Sequence, residues 1–182
     1  MNLTSTLRSL LPLAILLSNC GGAGVDGEFS CPLRPVLIRE PSLNEPAYCQ
    51  NFSSTLVMKD RMGQQVNQFS AGEMISFESA VTNNSANAVT ITKTDGCPQV
   101  SFEVYSTAGN PNIVWGSSDG IACTQALEPV TFASGETKIF SGEWDQTFCG
   151  NTQTPPGQYR VRTLDSTECW ARIEHEVTLT LQ

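Results

Sequence analysis

Histidine is almost absent from this sequence: His175 stands alone in 182 residues. A single imidazole cannot build a His-rich metal centre or pass protons to a second one. Basic residues are scarce as well, ten Lys and Arg against 18 Asp and Glu, for a net charge of −8. They never gather into a run of four, so a nucleic-acid partner has no electrostatic footprint. No apolar run reaches the roughly 20 residues that a membrane-spanning helix needs. None of the seven cysteines stand as a C-x-x-C pair, which removes the signature of zinc ribbons and thioredoxin-like redox motifs. No cofactor and no metal are expected.

What is present begins with an export leader. Residues 1–19 carry one charge, Arg8, followed by the apolar run Leu10–Leu17, the length of a signal h-region. The run ends at Leu17-Ser18-Asn19-Cys20, which resembles a bacterial lipobox whose cysteine receives a diacylglycerol, with Asn19 replacing the usual small residue. Cysteine arithmetic points the same way, because seven cysteines leave one over if all pair. With Cys20 assigned to lipid, six remain: Cys31, Cys49, Cys97, Cys123, Cys149 and Cys169. Export to an oxidising compartment predicts three disulfides among them. Residues 20–30 then form the lipidated cysteine and a Gly-rich, flexible tether. The expected location is the bacterial envelope, lipid-anchored, with Gly21 after the cysteine pointing to the outer membrane and a periplasmic face.

Residues 31–53 hold Pro32, Pro35, Pro41 and Pro46, which forbid a helix and a central strand. An extended arm is predicted, closed by a local Cys31–Cys49 bridge. From Ser54 to the end the apolar pattern has period two. Leu56 and Met58, then Ile75, Phe77, Ser79 and Val81, then Val100, Phe102 and Val104 share faces, as do Tyr159, Val161 and Thr163. A last run places Ile173, His175, Val177, Leu179 and Leu181 together. Turn signals such as Asp95-Gly96, Ser134-Gly135 and Pro155-Pro156-Gly157 separate these runs. Residues 54–182 are therefore predicted to be all-β, an antiparallel sandwich braced by disulfides.

Stretches spread over roughly residues 72–182 strengthen that reading: Phe102-Glu103-Val104-Tyr105, Gly109, Val114-Trp115, Ser118-Asp119-Gly120, Thr124-Gln125-Ala126-Leu127, Gly135-Glu136, Trp144-Asp145 and Pro156-Gly157-Gln158-Tyr159. In order and spacing they resemble the BsuPI family, named for an intracellular proteinase inhibitor. The resemblance implies an immunoglobulin-like sandwich and inhibition of serine proteinases. It carries no inhibitory residue with it. This chain differs in its export leader, in the cysteines within the domain, and in an inserted stretch at Phe148–Thr154.

Three patterns invite chemistry. Gly116-Ser117-Ser118-Asp119-Gly120 satisfies G-x-S-x-G, but Ser118 would act as a nucleophile only on a strand-to-helix elbow, and no βα alternation surrounds it. A turn is the expected reading. Glu174-His175-Glu176 would suit a metal only if the three side chains converged, which strand alternation prevents. Glu143 and Asp145 flank Trp144 as solvated charges. Of the three tryptophans, Trp115 and Trp144 are expected between the sheets, and Trp170 is the candidate for an exposed partner contact.

These readings converge on a non-enzymatic binding module of the envelope, a proteinase inhibitor by family resemblance. The rival is a structural or assembly protein of the envelope that pairs through sheet edges. The candidate binding loops are Gly116–Glu128 and Cys149–Gly157, each of which carries a cysteine and breaks the strand rhythm. Six cysteines permit 15 connectivities. Beside Cys31–Cys49, an up-down-up path brings Cys97 to Cys123 and leaves Cys149 for Cys169.

Overall fold

The alternation from Phe52 onward folds as strands because each one has a core to face. The computed structural model describes residues 34–37, 45–109, 111–148 and 152–182. Among these residues thirteen strands form: β1 (Arg34–Pro35), β2 (Phe52–Lys59), β3 (Gln68–Phe69), β4 (Ile75–Asn83), β5 (Val89–Lys93), β6 (Val100–Ser106) and β7 (Asn112–Gly116). There follow β8 (Glu128–Phe132), β9 (Thr137–Trp144), β10 (Thr147–Phe148), β11 (Thr152–Gln153), β12 (Gly157–Asp165) and β13 (Glu176–Leu181). A 3₁₀ helix at Ala47–Asn51 and one α-helical turn at Trp170–Ile173 (α1) complete the described elements.

One layer is the sheet β1-β7-β6-β12-β13-β3, and the other is β2-β4-β9. All pairs in them are antiparallel except the short β13–β3 pair. The ladder of β4 with β9 reaches Thr82 opposite Thr137 and resumes as β5 with β8 at Val89 opposite Phe132. Asn83, fully buried, holds the break: its Nδ2 donates to the carbonyls of Asn87 and Ala133, each at 2.9 Å. Aromatic side chains join the layers. Phe77 of β4 lies 5.7 Å from Phe102 of β6 and 5.6 Å from Trp115 of β7, and Trp115 lies 6.0 Å from Trp144 of β9. The antiparallel sandwich expected from the alternation, immunoglobulin-like as the family resemblance implies, is the fold that forms.

The last predicted run is corrected. Ile173 is buried from the helical turn α1, His175 is exposed, and the strand starts at Glu176. The cause is local: Thr167 and Cys169 donate backbone N–H groups to Asp165 Oδ1 and Thr167 Oγ1, at 2.8 and 3.2 Å, and curl the chain into α1. The expected Cys31–Cys49 bridge is also corrected, and with it Cys149–Cys169. Cys49 bonds Cys169, 120 positions away, with Cα atoms 5.1 Å apart. Pro46 sets the start of the 3₁₀ helix, which turns Cys49 into the core, and α1 meets it there. Ser54 Oγ reinforces the junction by donating to the Ile173 carbonyl at 2.7 Å. Cys97 and Cys123 are joined as their path predicts, Cα atoms 4.9 Å apart. Cys31 and Cys149 lie outside the described residues, as do the leader, Cys20 and the tether.

Of the arm, Arg34–Pro35 pairs with β7 at the sheet edge, where a proline is tolerated. Farther along the arm, the Leu37 carbonyl accepts Arg162 Nη1 at 2.8 Å, and Glu45 meets Arg172 at 3.1 Å.

Candidate functional site

The segment leaving β7 is built as a turn. Asp119 N–H donates to the Gly116 carbonyl at 3.0 Å, and Asp119 Oδ2 accepts Gly116 N–H at 2.9 Å. Gly120 follows with φ of +77°, a left-handed position that glycine adopts without strain. Ser117 ties the turn to β6, its Oγ accepting Phe102 N–H at 2.8 Å and its N–H reaching the Phe102 carbonyl. Ser118 contributes its carbonyl to Ile121 N–H at 3.1 Å. No helix follows it, so the G-x-S-x-G match is a turn sequence and not a nucleophile elbow.

Beyond the turn the chain runs without regular structure to Glu128, and every residue from Asp119 to Pro129 is exposed. Such a segment would ordinarily collapse or wander, yet three attachments fix it. The Cys97–Cys123 bridge holds its middle. Gly96 N–H donates to the Thr124 carbonyl at 2.8 Å, and a Cβ on Gly96 would come within 3.2 Å of Thr124 N. At the far end, Lys93 Nζ meets Glu128 Oε2 at 2.8 Å. The stretch that receives these attachments is itself anchored, because Cys97 N–H donates to Asp95 Oδ1 and Thr94 N–H to the Ser166 carbonyl. Arg34 of the arm pairs with Asp119 at 2.7 Å. The loop is an exposed ribbon on a rigid base.

The second candidate loop is described only in part, since residues 149–151 lie outside the described set. Its base is set by Gln146, buried and at φ of +62°. Its Nε2 donates to the carbonyls of Ser70 and Glu73 at 2.7 and 2.9 Å, and its Oε1 accepts Gly72 N–H at 3.2 Å. Trp144 Nε1 donates to the Thr147 carbonyl at 2.8 Å. Glu143 and Asp145 are both exposed. Hydrogen bonds from the Thr147 hydroxyl and then its N–H to Asp145 hold that carboxyl below its ordinary range.

The remaining candidates disperse. His175 gives its backbone to Thr163, donating N–H to Oγ1 at 2.8 Å and accepting Thr163 N–H at 2.9 Å. Glu174 reaches Asp165 N–H, whereas Glu176 pairs with Arg160 and accepts the Tyr105 hydroxyl. Burial raises the Glu176 pKa above the ordinary carboxylate value. Among the described residues, no three His, Cys, Asp or Glu side chains gather as a metal site would require. Trp144 is buried and Trp115 half-buried between the layers. Trp170 opens α1 half-buried, whereas Ile121 and Leu127 on the exposed ribbon are 50% and 69% accessible. Alternation could not mark these two, because they lie in no strand.

The family model BsuPI, intracellular proteinase inhibitor, matches residues 61–168, more than half of the chain. The match starts ahead of residue 72 and stops short of β13. No curated protein matches. Among solved structures, a Listeria innocua β-glucosidase mutant in complex with laminaribiose aligns at 16% identity and TM-score 0.40, covering 71% of this chain and 16% of that one. A β-glucosidase from Erythrobacter marinus aligns at 11% and 0.41, covering 72% and 16%. The Pseudomonas fluorescens alkylpurine DNA glycosylase AlkC, bound to DNA containing an abasic site analog, aligns at 12% and 0.44, covering 72% and 30%. This chain thus spans about a sixth of the glucosidases' length, and neither their chemistry nor the glycosylase's DNA is carried over.

Proposed function

The chain belongs to the BsuPI family of intracellular proteinase inhibitors, and from that premise we propose that it is a non-enzymatic module that binds a proteinase through the ribbon Ser117–Leu127. The observation that carries this reading is the exposure of every residue from Asp119 to Pro129 on a base fixed at Cys123, Thr124 and Glu128. A cleft-filling loop must be accessible, and it binds tightly when it is already ordered, because the entropy of ordering is then not charged to the complex. A turn sequence at Ser118 and an exposed, unclustered His175 offer no hydrolytic machinery in its place.

The module acts at the cell envelope. Lipid on Cys20 holds it to the membrane, and the tether of residues 20–30 sets it off from the surface on the periplasmic side. The support for this is the leader, the lipobox-like Leu17-Ser18-Asn19-Cys20 and the odd cysteine count. Titration of the purified protein against trypsin-, subtilisin- and elastase-type proteinases tests the reading. Saturable inhibition of one of them is expected; no inhibition of any type would overturn it in favour of an assembly role.

A further inference from the structure

We infer that Leu127 is the side chain that fills the primary specificity pocket of the target, and that the target is a proteinase with an apolar pocket. This rests on the proteinase-binding reading above and assigns its contact residue.

The ribbon reads Ser117-Ser118-Asp119-Gly120-Ile121-Ala122-Cys123-Thr124-Gln125-Ala126-Leu127. It contains no Lys or Arg, so it offers nothing to a pocket that selects a cation. Its one acid, Asp119, is held by Gly116 N–H and Arg34. Two large apolar side chains remain, Ile121 and Leu127.

Backbone availability separates them. A proteinase takes up an extended segment by strand-like hydrogen bonds, so the segment must present N–H and C=O groups that the inhibitor does not use itself. Ile121 N–H is spent on the Ser118 carbonyl, which keeps its stretch in a turn. The Thr124 carbonyl is spent on Gly96 N–H. Gln125, Ala126 and Leu127 make no backbone hydrogen bond to another described residue, and both ends of this stretch are clamped, at Thr124 and at Glu128. Leu127 is also the more exposed of the two, 69% against 50%. Its branch lies at Cγ, so the side chain enters a narrow slot that the Cβ branch of isoleucine obstructs.

The test uses the full chain in detergent, with inhibition constants measured against chymotrypsin- or subtilisin-type, elastase-type and trypsin-type proteinases. Inhibition of an apolar-pocket enzyme is expected, weakened about 100-fold by Leu127→Ala and less by Ile121→Ala. Leu127→Arg should move the preference toward the trypsin type. Because Leu127 is exposed, all variants should melt like the parent. Unchanged inhibition in both Leu127 variants would overturn the assignment of Leu127 while leaving the proteinase-binding reading in place. Inhibition of no proteinase by the parent chain would overturn that reading, and the assignment with it.

Discussion

Gly142 of β9 lies against the ring of Phe102 in the opposite sheet, so close that a Cβ on Gly142 would stand 2.8 Å from Phe102 Cδ2. Phe102 is itself 1% exposed and stacked on Phe77, so its ring has no free space to retreat into. Gly142→Ala should therefore destabilise the fold by about 1–3 kcal/mol through overpacking. Urea melts measure this directly. A melt unchanged by the substitution would mean that the two layers are not packed as described.

The disulfides yield a second expectation. Non-reducing peptide mapping should return Cys49 linked to Cys169 and Cys97 linked to Cys123. In the chain-entropy model the first closes 120 residues and contributes about 5 kcal/mol, the second closes 26 and contributes about 3.5 kcal/mol. Replacing Cys49 and Cys169 by Ala should then cost more stability than replacing Cys97 and Cys123. Recovery of a Cys31–Cys49 peptide would refute the pairing.

Strands with an unbroken inward face are legible in the order of residues alone. β4 places Ile75, Phe77, Ser79 and Val81 inward, all four buried. β9 is not legible in that way, because Lys138 and Gly142 share its inward register with Phe140 and Trp144 and dilute the period. The run Ile173 to Leu181 misleads for the opposite reason, since its period continues through a turn that Cys169 and Asp165 impose. The Cys49 pairing lies beyond sequence because it depends on which distant element meets the 3₁₀ helix. The loop Gly116–Glu128 is legible as a break in rhythm. Its clamps are not, since Gly96 and Thr124 come together only in the folded chain.

Acid should loosen the turn at Asp145. Its carboxyl is held below the ordinary range by Thr147, so the folded pKa lies under the unfolded one. The stabilisation is thus present above the unfolded value near pH 4 and is lost as pH falls through the lower folded value. Asp145 is exposed, so solvent screens the effect and it is small. An NMR titration should find this carboxyl titrating below the ordinary aspartate range, and Asp145→Asn should flatten the acid limb of stability. A carboxyl titrating at its ordinary position would remove the argument.

The anchor can be tested by fractionation. Cys20→Ser should move the protein from the membrane fraction to the soluble one, because the lipid on that residue supplies the attachment. Parent protein that is already soluble and carries no acyl mass would refute the lipobox reading.

The clamp between Gly96 and Thr124 gives the last expectation. Gly96 N–H donates to the Thr124 carbonyl at 2.8 Å, and a Cβ on Gly96 would meet Thr124 Oγ1 at 2.0 Å and Thr124 N at 3.2 Å. The hydroxyl can rotate aside, but the backbone beside a disulfide-held Cys123 cannot, so Gly96→Val must push the ribbon off its base. The displaced ribbon is looser, and its ordering cost then falls on binding, weakening inhibition by about tenfold or more. The sandwich core is untouched, so the melting temperature should fall little. Hydrogen exchange reads the same event without any proteinase, because the Gly96 amide loses its acceptor and exchanges faster in Gly96→Ala. A Gly96 amide as protected in Gly96→Ala as in the parent would show that the two segments are not held in contact. The rigidity on which the binding reading depends would then need another source.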